Sequence, residues 1–235
     1  MTTWRDLTEL IFMCILTKIN KPVKKGIIMP KIYSDEEKKN IIAKLKNEAN
    51  KLMQEKGVKK TTVDELVKRV GIPKGTFYLF YPSKEMLLFE VSQDFHEHVD
   101  EYITNGFCKI INSKNKSMDE LDFSDCVEEI TDVLLGAMEI TYHSCLRVLL
   151  IPESMKLILS KIPNEVLEKH RQEDRHIGGE LFKGLSVKNG MSLDAVVGAF
   201  MMIIFGGMYK REIGENNWKE SMRIAIRGIV LQLVR

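Results

Sequence analysis

The run from Thr61 to Lys84 restricts this chain more than any other stretch, because it holds two short helical patterns with a sharp turn between them. Thr62 is followed three residues later by Glu65, the spacing of a capping box in which each side chain satisfies a backbone N–H at the helix start. Val63, Leu66, Val67 and Val70 then recur at helical intervals and form one apolar stripe. Gly71 supplies the positive φ of a sharp exit, and Pro73 suits the first turn of a second helix, where a missing N–H is not felt. Two helices joined so closely are the grammar of a helix-turn-helix.

On the second helix, about Lys74 to Tyr81, Phe77 and Tyr81 are four residues apart and are expected to face the first helix. Gly75, Thr76, Leu79 and Phe80 then share the opposite face, with Tyr78 at its edge and its hydroxyl in reach of a phosphate. Such a face suits a DNA groove: glycine lets the backbone come close, and apolar groups can touch thymine methyls. Ser83 is the expected N-cap of a third helix, and its first N–H groups with Lys84 would make an anion site. Phosphate contacts of this kind set register and not sequence preference. The expected DNA-contacting set is Thr61, Thr62, Lys74, Gly75, Thr76, Tyr78, Leu79, Phe80, Ser83 and Lys84.

The run Lys74-Gly75-Thr76-Phe77-Tyr78-Leu79-Phe80-Tyr81-Pro82-Ser83-Lys84-Glu85-Met86-Leu87 closely resembles the recognition-helix signature of the TetR family of bacterial transcription regulators, and the likeness extends upstream to about Ser34. Two positions depart from that pattern: Phe80 stands where the family often has His, and Tyr81 where it commonly has Phe. Phe80 donates no hydrogen bond, so readout there would be by shape or methyl contact. The resemblance implies an all-α homodimer with an N-terminal three-helix DNA-binding bundle and a larger helical domain for ligand binding and dimerisation. It implies double-stranded DNA with a palindromic operator as partner, and release by a small hydrophobic effector. The implied boundaries are a leader over 1–29, a DNA-binding domain over 30–88 and a ligand-binding and dimerisation domain over 89–235. A DNA-binding regulator without a small-molecule effector is the alternative.

Charge agrees with this division. The 235-residue chain has a net charge of only +2, yet from Lys31 to Lys84 there are 13 Lys and Arg against 7 Asp and Glu. That surplus would release counterions on meeting phosphate. An apolar fraction of 44% with 29% charged residues is that of a globular chain with a substantial core. Cys14, Cys108, Cys126 and Cys145 form no C-x-x-C pair, so a reduced cytoplasmic protein is expected. Leu10 to Leu16 is too short to span a bilayer, and Asp6 and Glu9 do not suit an export signal. Met29-Pro30-Lys31 resembles a natural start, which would make residues 1–28 a start-site artefact; the alternative is an N-terminal arm that packs on the body or adds DNA contacts.

Ser34 with Glu37 forms a second capping box, opening a helix whose stripe from Ile41 to Met53 ends at Gly57. The helix after Ser83 is expected to reach about Ile111 and to leave the DNA-binding domain as a lever. Asn112 to Asp122 reads as a loop, Ser124 as the cap of a helix through Tyr142, Pro152 as an interruption, and Pro163 as the start of a pattern reaching roughly Leu185. Ser192, and Asn217 with Glu220, are expected to cap two strongly apolar helices that bury more than one face, as a two-fold four-helix interface would allow. Gly198, Gly206, Gly207 and Gly228 would permit close approach there. Candidate ligand contacts are Met138, Tyr142, His143, Cys145, Phe182 and Met201; the chain's 13 Met suit an adaptable lining and a core equally. The five His show neither H-E-x-x-H nor Cys pairing, and no catalytic or dinucleotide signature occurs, so neither metal, cofactor nor enzymatic chemistry is expected.

Overall fold

The structure, a computed structural model, describes residues 33–117, 120–167, 186–187, 190 and 192–234. Helix α1 (Asp35–Lys60) starts at the expected capping box: Ser34 Oγ accepts from Glu37 N, and Glu37 Oε2 accepts from Ser34 N at 2.6 Å. The helix breaks at Gly57, whose φ of 79° leaves Val58–Lys60 as a separate turn. Helices α2 (Val63–Val70) and α3 (Lys74–Phe80) follow, joined through Gly71 at φ 76°, and α4 runs Lys84–Lys114. A 3-10 turn (Phe123–Cys126) precedes α5 (Val127–Tyr142), then come α6 (Leu146–Leu149) and α7 (Pro152–Leu159). The last elements are α8 (Leu193–Gly207), α9 (Lys210–Ile213) and α10 (Trp218–Val230). The described residues are all-α apart from one antiparallel pair of two-residue strands, β1 (Ser186–Val187) and β2 (Leu233–Val234), with Ser186 opposite Val234.

Several expected boundaries move. Helix α4 ends at Lys114 and not Ile111. Asp122, not Ser124, caps the following turn, because its carboxylate accepts from Ser124 N at 2.9 Å. Pro152 opens α7, where its missing N–H is harmless. Asn217 sits at the N-cap of α10 without a side-chain bond, whereas Ser192 caps α8 as expected through Ala195 N. The pattern expected to reach Leu185 lies largely outside the described residues, as do Phe182, Cys14 and the whole of 1–29.

The chain separates into two compact units. Among the described residues, the first joins 33–95 with 144–167. Its core is Leu45, Ala49, Leu52 and Met53 of α1, Leu66 of α2, Phe77 of α3, and Leu87 and Leu88 of α4, all without solvent exposure. Helices α6 and α7 pack on α1 in this same unit, contributing buried Leu146, Leu149, Met155 and Ile158. Part of the second half of the sequence therefore completes the core under the helix-turn-helix.

The second unit contains His96–His143 and the C-terminal helices. Here α10 packs along α5 and on α8; Trp218, Met222, Ile226 and Val230 of α10 are buried, as are Ile130 and Met138 of α5 and Ile204 of α8. Trp218 Nε1 donates to the Gly207 carbonyl at 2.7 Å, which satisfies one of the acceptors left open at the end of α8. Charged pairs lace the outer edge of α5 and α10: Lys219 with Glu139 at 2.9 Å, Arg223 with Glu128 and Asp132, and Arg227 with Glu128.

Candidate nucleic-acid interface

The turn is built as its residues dictate. Thr62 Oγ1 accepts from Glu65 N at 3.3 Å, but the reciprocal half of the expected box is absent, since Glu65 instead holds Lys56 at 2.6 Å and Arg69 at 3.4 Å. At the other end of α2, the N–H groups of Gly71 and Ile72 both donate to the Val67 carbonyl. Pro73 lies one position before α3, and its carbonyl accepts from Thr76 N at 2.9 Å.

Helix α3 presents a different face from the one expected. Phe77 and Tyr81 are buried toward the core, as their spacing required. Thr76 is also buried, at 7% exposure, because its hydroxyl meets that of Tyr33 at 3.2 Å. Leu79 and Phe80 are half-exposed, while Lys74, Gly75 and Tyr78 face outward, Tyr78 at 50%. The open face is thus turned by roughly one residue, about 100°, from the expected one. Space is free around Gly75: a Cβ there would meet nothing within 4 Å.

A part-buried network fixes the end of this helix. Tyr81 hydrogen-bonds Glu90, and burial together with that carboxylate pushes its phenol pKa upward. Glu90 also pairs with Lys46 at 2.8 Å, and Lys46 pairs with Asp94 at 2.9 Å. Burial opposes the charge on Lys46, but the two carboxylates outweigh it and hold its pKa above the usual lysine value. Helices α1, α3 and α4 are so locked together at one point.

Two of the expected DNA-contacting residues, Lys84 and Thr61, hydrogen-bond within the head. Lys84 Nζ donates to the carbonyls of Val58 at 3.0 Å and Thr61 at 2.7 Å, so its charge is turned inward. Thr61 is fully buried, with its hydroxyl donating to the Gly57 carbonyl at 2.9 Å. Ser83 caps α4, accepting from Met86 N at 3.2 Å. Of the expected set, Thr62, Lys74, Gly75 and Tyr78 are exposed and grouped on α2 and α3, with Lys74 paired to Asp64 at 2.8 Å. The periodicity reading passed over Lys59, Lys60 and Lys68, which are exposed and carry no ion pair among the described residues. The signal for the first two was their place just before the Thr62 cap.

The candidate ligand contacts do not converge on one place. Met138 and Met201 are buried in the second unit, where Met138 and Met222 close over Gly207. Tyr142 lies against Trp218, with ring centroids 5.5 Å apart, and against His143, while Lys210 sits over both the Tyr142 and Trp218 rings. His143 is exposed at the end of α5. Cys145 belongs to the other unit and is fully buried, its thiol pushed up to about 12 by desolvation. Desolvation likewise raises the Cys126 thiol, to about 11. Neither thiol is poised for redox chemistry.

Residues 47–91, which span this geometry, match the family described as bacterial regulatory proteins, tetR family. A curated relative from Bacillus subtilis (strain 168), the uncharacterized HTH-type transcriptional regulator YuxN, is 38% identical over 68 residues. That stretch covers 29% of this chain and 21% of the relative. No described helix is long and apolar enough to cross a membrane.

Proposed function

We propose that the head of this chain, matched over residues 47–91 to the tetR family of bacterial regulatory proteins, is a helix-turn-helix domain of that type, and that the whole chain is a dimeric transcriptional repressor released from a palindromic operator by a small hydrophobic ligand. The observation that carries the DNA-binding part is the outward strip of Lys74, Gly75 and Tyr78 on a helix held at its far end by Tyr81, Glu90 and Lys46. A rigid support leaves the strip pre-shaped for a major groove, with Lys59, Lys60 and Lys68 available for flanking phosphates.

Dimerisation is supported by what α8 and α10 leave uncovered. Met202 and Ile224 are 70% and 67% exposed on two helices that pack on each other. Around Gly198, Gly206 and Gly228, an added Cβ would meet nothing within 4 Å. Gly207 differs, being closed internally by Met222 and Met138. Large apolar side chains beside open glycines fit a second copy of the same surface, and two copies give two reading heads.

Ligand release is supported by the placement of α6 and α7 on α1. The chain leaves the head's unit after Phe95 and returns to it at Ser144, so α5 is tied covalently to the head's unit on both sides. An effector bound more tightly to a DNA-incompetent arrangement of these segments would shift the population away from the operator. The close fit of Met138 and Met222 over Gly207 favours the second reading, a regulator without an effector, at that point of the core. Selection of bound fragments from host genomic DNA tests the whole proposal: recovery of a two-fold symmetric site supports it, and recovery of no enriched sequence defeats it.

A further inference from the structure

Helix α2 carries two carboxylates, and they serve different partners. Glu65 is held by Lys56 and Arg69, whereas Asp64 reaches across the Gly71 turn to Lys74, the first residue of α3, at 2.8 Å. Both ends of that bond face solvent, Asp64 at 74% and Lys74 at 52% exposure. The hydrogen bond to Asp64, with the carboxylate charge behind it, holds the Lys74 ammonium above the usual lysine value. Asp64 itself lies in the first turn of α2, where the positive end of a helix favours a carboxylate. Among the described residues it is the carboxylate paired with the outward strip of Lys74, Gly75 and Tyr78. An anion beside a surface that meets DNA opposes phosphate, so its presence there calls for an offsetting role.

An ammonium has three N–H donors, and the bond to Asp64 occupies one of them. We propose that Asp64 is a specificity-determining residue that aims Lys74 at the acceptor edge of a guanine and withholds it from phosphates. The inference rests on the DNA-binding reading above. In the complex Lys74 keeps its bond to Asp64 and gives its remaining donors to guanine O6 and N7, the acceptors that mark G·C in the major groove. A phosphate drawn to the same ammonium would approach the carboxylate, and that repulsion discourages sequence-independent pairing. Asp64 touches no base in this scheme; it is a positioning residue that acts through Lys74.

The test compares the full chain with D64N, D64E, K74Q and D64N/K74Q on the operator selected from genomic DNA, on its single-base variants and on a mixed-sequence duplex, over a range of salt concentrations. Circular dichroism establishes that the variants are as helical as the unsubstituted chain. D64N releases the ammonium to phosphates, so on the mixed-sequence duplex the slope of log affinity against log salt should steepen by roughly 0.9. On the operator D64N should lose about fivefold in affinity, the lower end of what a base contact contributes, and should relax the preference for guanine at the same base pair as K74Q. D64E keeps the charge and should retain the shallower slope, and in D64N/K74Q the change at Asp64 should add nothing to K74Q. An unaltered slope with unaltered base preference in D64N overturns the inference and leaves the DNA-binding reading standing, as does a D64N effect that persists in full beside K74Q. Absence of duplex binding by the unsubstituted chain overturns both.

Discussion

Lys84 donates to the Thr61 carbonyl at 2.7 Å, stitching the start of α4 to the end of α1 across 23 residues of sequence. A second bond to Val58 completes the stitch, so Lys84 belongs to the architecture of the head and not to its outer surface. Lys84→Met keeps the side-chain length but removes both bonds and leaves two carbonyls without their charged donor. The expected cost is about 1–3 kcal/mol of stability, read from the urea midpoint. The salt slope of DNA binding should stay the same, and a lowered slope at unaltered stability would place Lys84 back on the phosphates.

Exposure along α3 ranks its residues for DNA readout. Tyr78→Ala and Lys74→Gln should weaken binding to the selected operator by tenfold or more, since both lie on the open strip. Tenfold corresponds to about 1.4 kcal/mol. Thr76→Ala should change base preference little and act mainly through the loss of one hydrogen bond to Tyr33. Binding to a panel of single-base operator variants checks this; a preference that follows Thr76 more than Tyr78 would restore the face that helix periodicity implied.

The glycines of α8 separate folding from assembly. Gly198→Leu places its side chain in open space and replaces a poor helix former with a good one, a local gain of roughly 0.5–1 kcal/mol. The same side chain blocks a close two-fold contact, so sedimentation should find a well-folded monomer. Ile224→Arg should have the same outcome. If Gly198→Leu leaves a dimer intact, the partner surface lies elsewhere.

Acid should loosen the head. Arg69, at 2.6 Å from Glu55, holds that carboxyl below the usual range, and Lys56 does the same for Glu65. Groups with depressed folded-state values stabilise the fold above their unfolded value, here 4.5, and lose that contribution as pH falls through the folded value. The urea midpoint is therefore expected to be flat from pH 7 to about 5 and to fall below it. In Arg69→Met the part of that fall due to Glu55 should disappear, and an identical acid profile would remove the pair from the account.

Local grammar was the legible part of this sequence. Ser34 and Glu37 are three residues apart, Gly71 needs no distant partner to adopt a positive φ, and Phe77 with Tyr81 share a face by helical spacing alone; each stands in the structure as read. The partners of Thr76 and Lys84 were not legible, for one common reason. Their partners are 43, 26 and 23 residues away, and no periodicity within one helix contains that information. The membership of α6 and α7 in the head's unit was equally hidden, because the apolar pattern of a short helix says that it must be covered without saying by what.

That membership has a consequence for anyone who would graft the head of this chain onto another regulator. A cut after residue 88 would strip α1 of the covering that α6 and α7 provide and expose the apolar side chains beneath those two helices to water. A transplantable cassette must carry both pieces, and natural recombination at that seam would meet the same obstacle.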